Sequence, residues 1–147
     1  MSEDAMTTVH HTLSFWPSYA QFVLYDTQAE FNPDEEPLWG RPEEEEGHLS
    51  VRPTEVSVGL FADAEVQIEM DVYPVPPELP KGDWDVNVEV PLLVASGELG
   101  IRDVVQDVPE ATAAVPPGWL RLRVLGRNTL GGQTFWVQVW PITSPTS

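Results

Sequence analysis

Apolar residues recur at every second position through most of this chain. Val66, Ile68, Met70 and Val72 alternate with Glu65, Gln67, Glu69 and Asp71. Val86, Val88 and Val90 alternate with Asp85, Asn87 and Glu89. Leu120, Leu122 and Val124 alternate with Arg121 and Arg123, and Phe135, Val137 and Val139 with Thr134, Trp136, Gln138 and Trp140. A period of two sends successive side chains to opposite faces of a strand, so each run reads as a strand with one buried face. Antiparallel sheets supply that environment. Shorter runs at Thr12–Trp16, Gln21–Tyr25, Leu49–Val51, Glu55–Phe61 and Leu99–Val104 add further strands.

The 15 prolines and 10 glycines fall between these runs and act as turn signals. Pro74, Pro76, Pro77 and Pro80 precede Lys81-Gly82-Asp83, Pro116-Pro117-Gly118 precedes Trp119, and Gly131-Gly132 separates the last two strands. Roughly nine or ten short strands in one chain predict an all-β fold, an antiparallel two-sheet β-sandwich, with a partly closed barrel as the alternative. The segment Val104–Ala114 has room for a short helix, interrupted by Pro109. Length predicts one domain over residues 1–147, with 28–47 as a long acidic, proline-rich loop that carries Glu43–Glu46.

Chemistry is constrained mainly by what is missing. With 0 cysteines, thiolate metal sites, disulfides and cysteine nucleophiles are excluded. His10 and His11 are adjacent on a strand, so their rings point to opposite faces; a solvated pair is expected and no metal site. No Gly-x-Ser-x-Gly elbow occurs, and Gly131-Gly132 lacks the Lys-Ser/Thr of a phosphate loop. No catalytic residue, cofactor or metal is expected, and binding is favoured over catalysis. The start, Met1–Met6, has no basic region followed by an apolar run, so a cytoplasmic location is expected.

Charge points to the kind of partner. The chain holds 24 Asp and Glu against 7 Lys and Arg, for a formal net charge of −17. All the acids precede Ala111. Solubility alone asks for a magnitude of only ~2–8 in a small domain. The surplus repels nucleic acid and anionic lipid and attracts cationic surfaces. A basic protein is therefore the expected partner, with no nucleic acid and no membrane, the chain itself being a monomer or a homodimer. Glu65, Glu69 and Asp71 share one strand face, and Asp85 and Glu89 another. If the two strands are neighbours, five carboxylates form one field, with Arg121 and Arg123 as the natural groups to intervene. Trp84 and Trp136 are the candidate aromatic anchors.

Three segments in order resemble the ComJ family, inhibitors of a DNA-entry nuclease. They are Leu13-Ser-Phe-Trp-Pro-Ser-Tyr-Ala-Gln-Phe-Val-Leu-Tyr25, Val88-Glu-Val-Pro-Leu-Leu-Val-Ala-Ser-Gly-Glu-Leu-Gly-Ile-Arg-Asp103 and Val115-Pro-Pro-Gly-Trp-Leu-Arg-Leu-Arg-Val124. The acidic loop Asp34–Glu46 has no counterpart in that pattern. The resemblance implies a small cytoplasmic binding protein without an active site. Charge and resemblance together predict an acidic protein that neutralises a basic nuclease or toxin, through Glu65, Glu69, Asp71, Asp85, Glu89, Trp84 and Trp136. The alternative is a small-molecule or carbohydrate-binding sandwich, suggested by six tryptophans. A third reading takes the acidity as adaptation to high salt.

Overall fold

The computed structural model describes residues 9–29 and 48–146. The acidic stretch Glu43–Glu46, and with it most of the predicted 28–47 loop, lies outside the described residues. Among the described residues ten strands form: β1 (Val9–Phe15), β2 (Gln21–Asp26), β3 (Leu49–Val51), β4 (Glu55–Gly59), β5 (Val66–Val72), β6 (Val86–Val94), β7 (Glu98–Asp103), β8 (Ala111–Ala114), β9 (Gly118–Thr129) and β10 (Gly132–Pro141). They make two five-stranded sheets, ordered β1-β5-β10-β9-β6 and β3-β4-β2-β7-β8. The two-sheet sandwich expected from the alternation is the fold. Within it one pair, β5–β10, runs parallel, and the other ladders are antiparallel.

The inward residues of the period-two runs build the core between the sheets. Ile68, Met70, Leu122, Val124, Phe135 and Val137 of the first sheet meet Phe22, Leu24, Val56, Val58, Leu99 and Ile101 of the second, all essentially buried. Phe135 sits edge-on to Phe22 at 5.7 Å and stacks on Phe61 at 5.4 Å, tying the sheets together at one end.

The helix considered within Val104–Ala114 is not formed. Its last residues are instead the edge strand β8, paired with β7 from Glu98↔Ala114 to Ile101↔Ala111. The pairing comes from a distant strand edge, and the small side chains of Ala111-Thr-Ala-Ala114 show little alternation of their own. A tight turn at Ser18–Ala20 links β1 to β2.

Candidate functional site

The outer face of the first sheet gathers most of the residues singled out from sequence. In register, one side chain from each strand forms a row across it: His10 on β1, Asp71 on β5, Gln138 on β10, Arg123 on β9 and Glu89 on β6. Thr12, Glu69, Trp136, Leu125 and Asn87 form the next row. Strands β5 and β6 are not neighbours, because β10 and β9 stand between them. The single field of five carboxylates is therefore not assembled. Glu69 and Asp71 lie toward one side of the sheet and Glu89 on its far edge, while Glu65 and Asp85 sit just before their strands.

Several of these acids already have partners. Asp71 Oδ1 lies 2.6 Å from His10 Nδ1, and its Oδ2 accepts a 2.8 Å bond from Trp136 Nε1. His10 is thus not simply solvated. The hydrogen bond to Asp71 and that carboxylate's charge raise the imidazole pKa above its ordinary 6.5, with a further small push from Glu69 and an opposing effect of desolvation. Arg123 donates to Glu89 Oε2 at 3.1 Å, to Gln138 Oε1 at 2.9 Å and to the Pro77 carbonyl at 3.2 Å. Gln138 Nε2 in turn lies 3.4 Å from the Tyr73 hydroxyl, whose pKa burial pushes up, so the phenol stays neutral. Of the two arginines expected to intervene, Arg123 does so. Arg121 reaches toward the Pro145 carbonyl at 3.5 Å.

The proline-rich run after β5 explains how an outward arginine becomes buried. Tyr73 continues the ladder with a bond to the Val139 carbonyl, and the chain then brings the Pro77 carbonyl over Arg123. Farther along, Trp84 packs edge-on against Trp136 at 6.3 Å. The Arg127 guanidinium sits 4.2 Å above the Trp84 ring, and that of Arg123 lies 5.0 Å from the Trp140 ring. Asp85 Oδ2 accepts the Asn128 amide at 2.8 Å. Arginines therefore cover one face of Trp84 and one of Trp140. Among the described residues no three His, Asp or Glu side chains gather as a metal site.

Sequence reasoning missed the roles of His10, Gln138 and Tyr73. Their signal is positional: each matters only once β1, β5 and β10 are in register, and no local motif encodes that register. Trp16 and Tyr19 were also left out as anchors, although both stand in the Leu13–Tyr25 segment and are exposed in the structure.

Comparison with known proteins fits this architecture. No family profile matches the chain, and no curated protein does. Among solved structures, ComJ from Bacillus subtilis, described as an inhibitor of the DNA-degrading activity of NucA, superposes with a TM-score of 0.72 at 15% identity, over 94% of this chain and 100% of that one. The fold is ComJ-like. A second structure, described as crocagin biosynthetic gene J, superposes with a TM-score of 0.64 at 10% identity, over 92% of this chain and 100% of the other. At these identities the likeness concerns the fold.

Proposed function

We propose that this chain is a non-catalytic cytoplasmic binding protein that neutralises a basic protein, a nuclease or a toxin. The observation that carries this reading is the ComJ-like fold, shared over nearly the whole chain with a nuclease inhibitor. The surplus of carboxylates supports it. Carboxylates presented to a nuclease would occupy the cationic groups that otherwise bind phosphate and so exclude the nucleic acid. Complementary charge would speed encounter by ~10–10³ at low salt.

The proposed contact residues remain Glu65, Glu69, Asp71, Asp85, Glu89, Trp84 and Trp136. Their surroundings favour different roles. Glu65 and Asp85 are exposed and suit direct contact. Asp71 is buried between His10 and Trp136, and Glu89 is held by Arg123, so these two suit orienting the face around them.

The test is a DNA-degradation assay with a NucA-type nuclease. Increasing amounts of the purified chain are expected to stop degradation near equimolar ratio at low salt. Raising NaCl to ~0.5 M should restore activity, because exposed charge pairs are screened there. Undiminished degradation at tenfold excess and low salt would remove the inhibitory reading.

A further inference from the structure

One end of the sandwich carries the exposed aromatic side chains of the described residues. Phe15 pairs with Val66, Val66 with Gln133, and Phe22 with Asp103. Loops 16–20, 60–65 and 104–110 and the β9–β10 turn therefore emerge together. Trp16 is 65% exposed and Tyr19 70%, with Val105 and Leu130 also exposed at this end. Exposed apolar groups gathered at one place mark an interaction site more often than scattered ones do.

These side chains are held in place. Asp103 is buried, and its Oδ2 accepts both the amide and the hydroxyl of Ser18 at 2.9 Å, while its Oδ1 accepts the Val105 amide at 3.0 Å. One carboxylate thus ties the aromatic loop to the valine loop. Trp16 Nε1 donates to Asp63 Oδ1 at 2.8 Å, which fixes the ring against the third loop. That loop is itself pinned by Gln133, whose Oε1 accepts the Phe61 amide at 2.9 Å and whose Nε2 donates to the Ala62 carbonyl at 2.9 Å. Tyr19 and Ala20 adopt φ of 58° and 52°, a left-handed conformation that residues with side chains rarely take. The turn thereby presents Tyr19 outward.

Charge selects the occupant. Asp63, Glu65, Asp85 and Asp107 are exposed around the same end. An acidic rim repels anionic lipid and phosphate, whereas Arg and Lys side chains can pair with the carboxylates and lie on the Trp16 and Tyr19 rings. We propose that this loop end, anchored on Trp16 and Tyr19, is the surface that docks a cationic protein. The inference rests on the inhibitory reading for the nature of its partner and sets the centre of contact at the loop end, beside Glu65 and Asp85, with the outer-face residues Glu69 and Trp136 at its margin.

The experiment follows ¹⁵N resonances of the full chain at low salt. It is titrated with a catalytically silenced NucA-type nuclease and, separately, with an arginine- and lysine-rich peptide. The largest shifts are expected at the Trp16 indole and the Tyr19 and Val105 amides with both probes. A W16A/Y19A double variant should bind the nuclease at least ~10-fold more weakly with an unchanged melting temperature, as expected for anchor residues that are exposed in the free protein. Shifts centred on Trp136 and Glu69, or nuclease affinity unmoved by the double variant, would overturn the loop end and leave the inhibitory reading standing. Loop-end shifts with the peptide but none with the nuclease would support the surface and count against a nuclease partner. Silence with both probes would overturn both.

Discussion

Asp71 holds two donors from different strands, His10 on β1 and Trp136 on β10, and this gives the outer face a titratable element. Folding raises the His10 pKa above the ordinary 6.5, first through the hydrogen bond to Asp71 and then through its charge. A raised histidine pKa means that folding favours the protonated ring. Its contribution is full below about 6.5 and is lost as pH rises through the folded-state value. His10 should therefore titrate above 6.5 by NMR, and D71N should bring it back toward that value. Denaturant unfolding should show a stability decline above pH ~6.5 that is smaller in H10N. A wild-type His10 that titrates at or below the ordinary value would count against the pair. Arg123 makes the sharper mutational contrast. It is buried, so R123A should cost ~2–4 kcal/mol by stripping Gln138 and the Pro77 carbonyl of a partner. Glu89 is half-exposed, so E89Q should cost less than ~1 kcal/mol. Equal losses in the two variants would mean that the Glu89 ion pair, and not the buried hydrogen bonds, holds the row.

In β9, an inward position that must stay empty lies between two core side chains. A Cβ on Gly126 would come 2.7 Å from Phe135 Cε1 and 3.1 Å from Val86 Cβ. G126A should overpack the core and cost ~1–3 kcal/mol, and F135L in the same chain should recover part of the loss by making room. Additive losses in the double variant would refute the steric account. The strand itself was legible in the sequence, as were most of the others, because a half-buried face enforces alternation wherever it occurs. β8 was not legible: alanines on an edge strand take their conformation from β7, and nothing in their own order marks it. Leu125 shows the same limit on the other face. It breaks the alternation after Val124, yet it is fully buried on the outer side as the cross-strand neighbour of Trp136. Strand order was hidden for a related reason. Alternation tells a residue which face it occupies, but pairing β5 with β1 and β10 instead of β6 depends on contacts far apart in sequence. The face of the candidate site could thus be read from residues 66–72 and 86–90, whereas the network of His10, Asp71, Gln138 and Arg123 could not. Trp16 and Tyr19 were visible as aromatics, but only the convergence of three loops sets them beside Asp63 and Val105.

Across the whole molecule, charge acts on folding and on binding with opposite signs. Carboxylates outnumber cations by 24 to 7, and ion pairs such as Arg102–Glu55 and Arg123–Glu89 offset only part of the excess. The remainder repels itself in the compact state, where like charges are closer than in the unfolded chain. Salt shortens the reach of that repulsion to ~10 Å at 0.1 M and less above it. The melting temperature should therefore rise between ~10 mM and ~0.5 M NaCl at pH 7, by ~2–4 °C for each kcal/mol of repulsion relieved in a chain of this size. Near the isoelectric point of about 4.2, where the net charge vanishes, the rise should largely disappear. The same addition of salt should weaken a basic partner's hold, because that attraction is screened by the same ions. Measuring both quantities in one salt series separates the readings of the −17 charge. A fold that tightens modestly while the complex loosens fits a surface shaped for a cationic partner. A chain that folds only in molar salt would make the acidity an adaptation to brine, and a melting temperature indifferent to salt would mean that the acids are balanced locally and exert no global field.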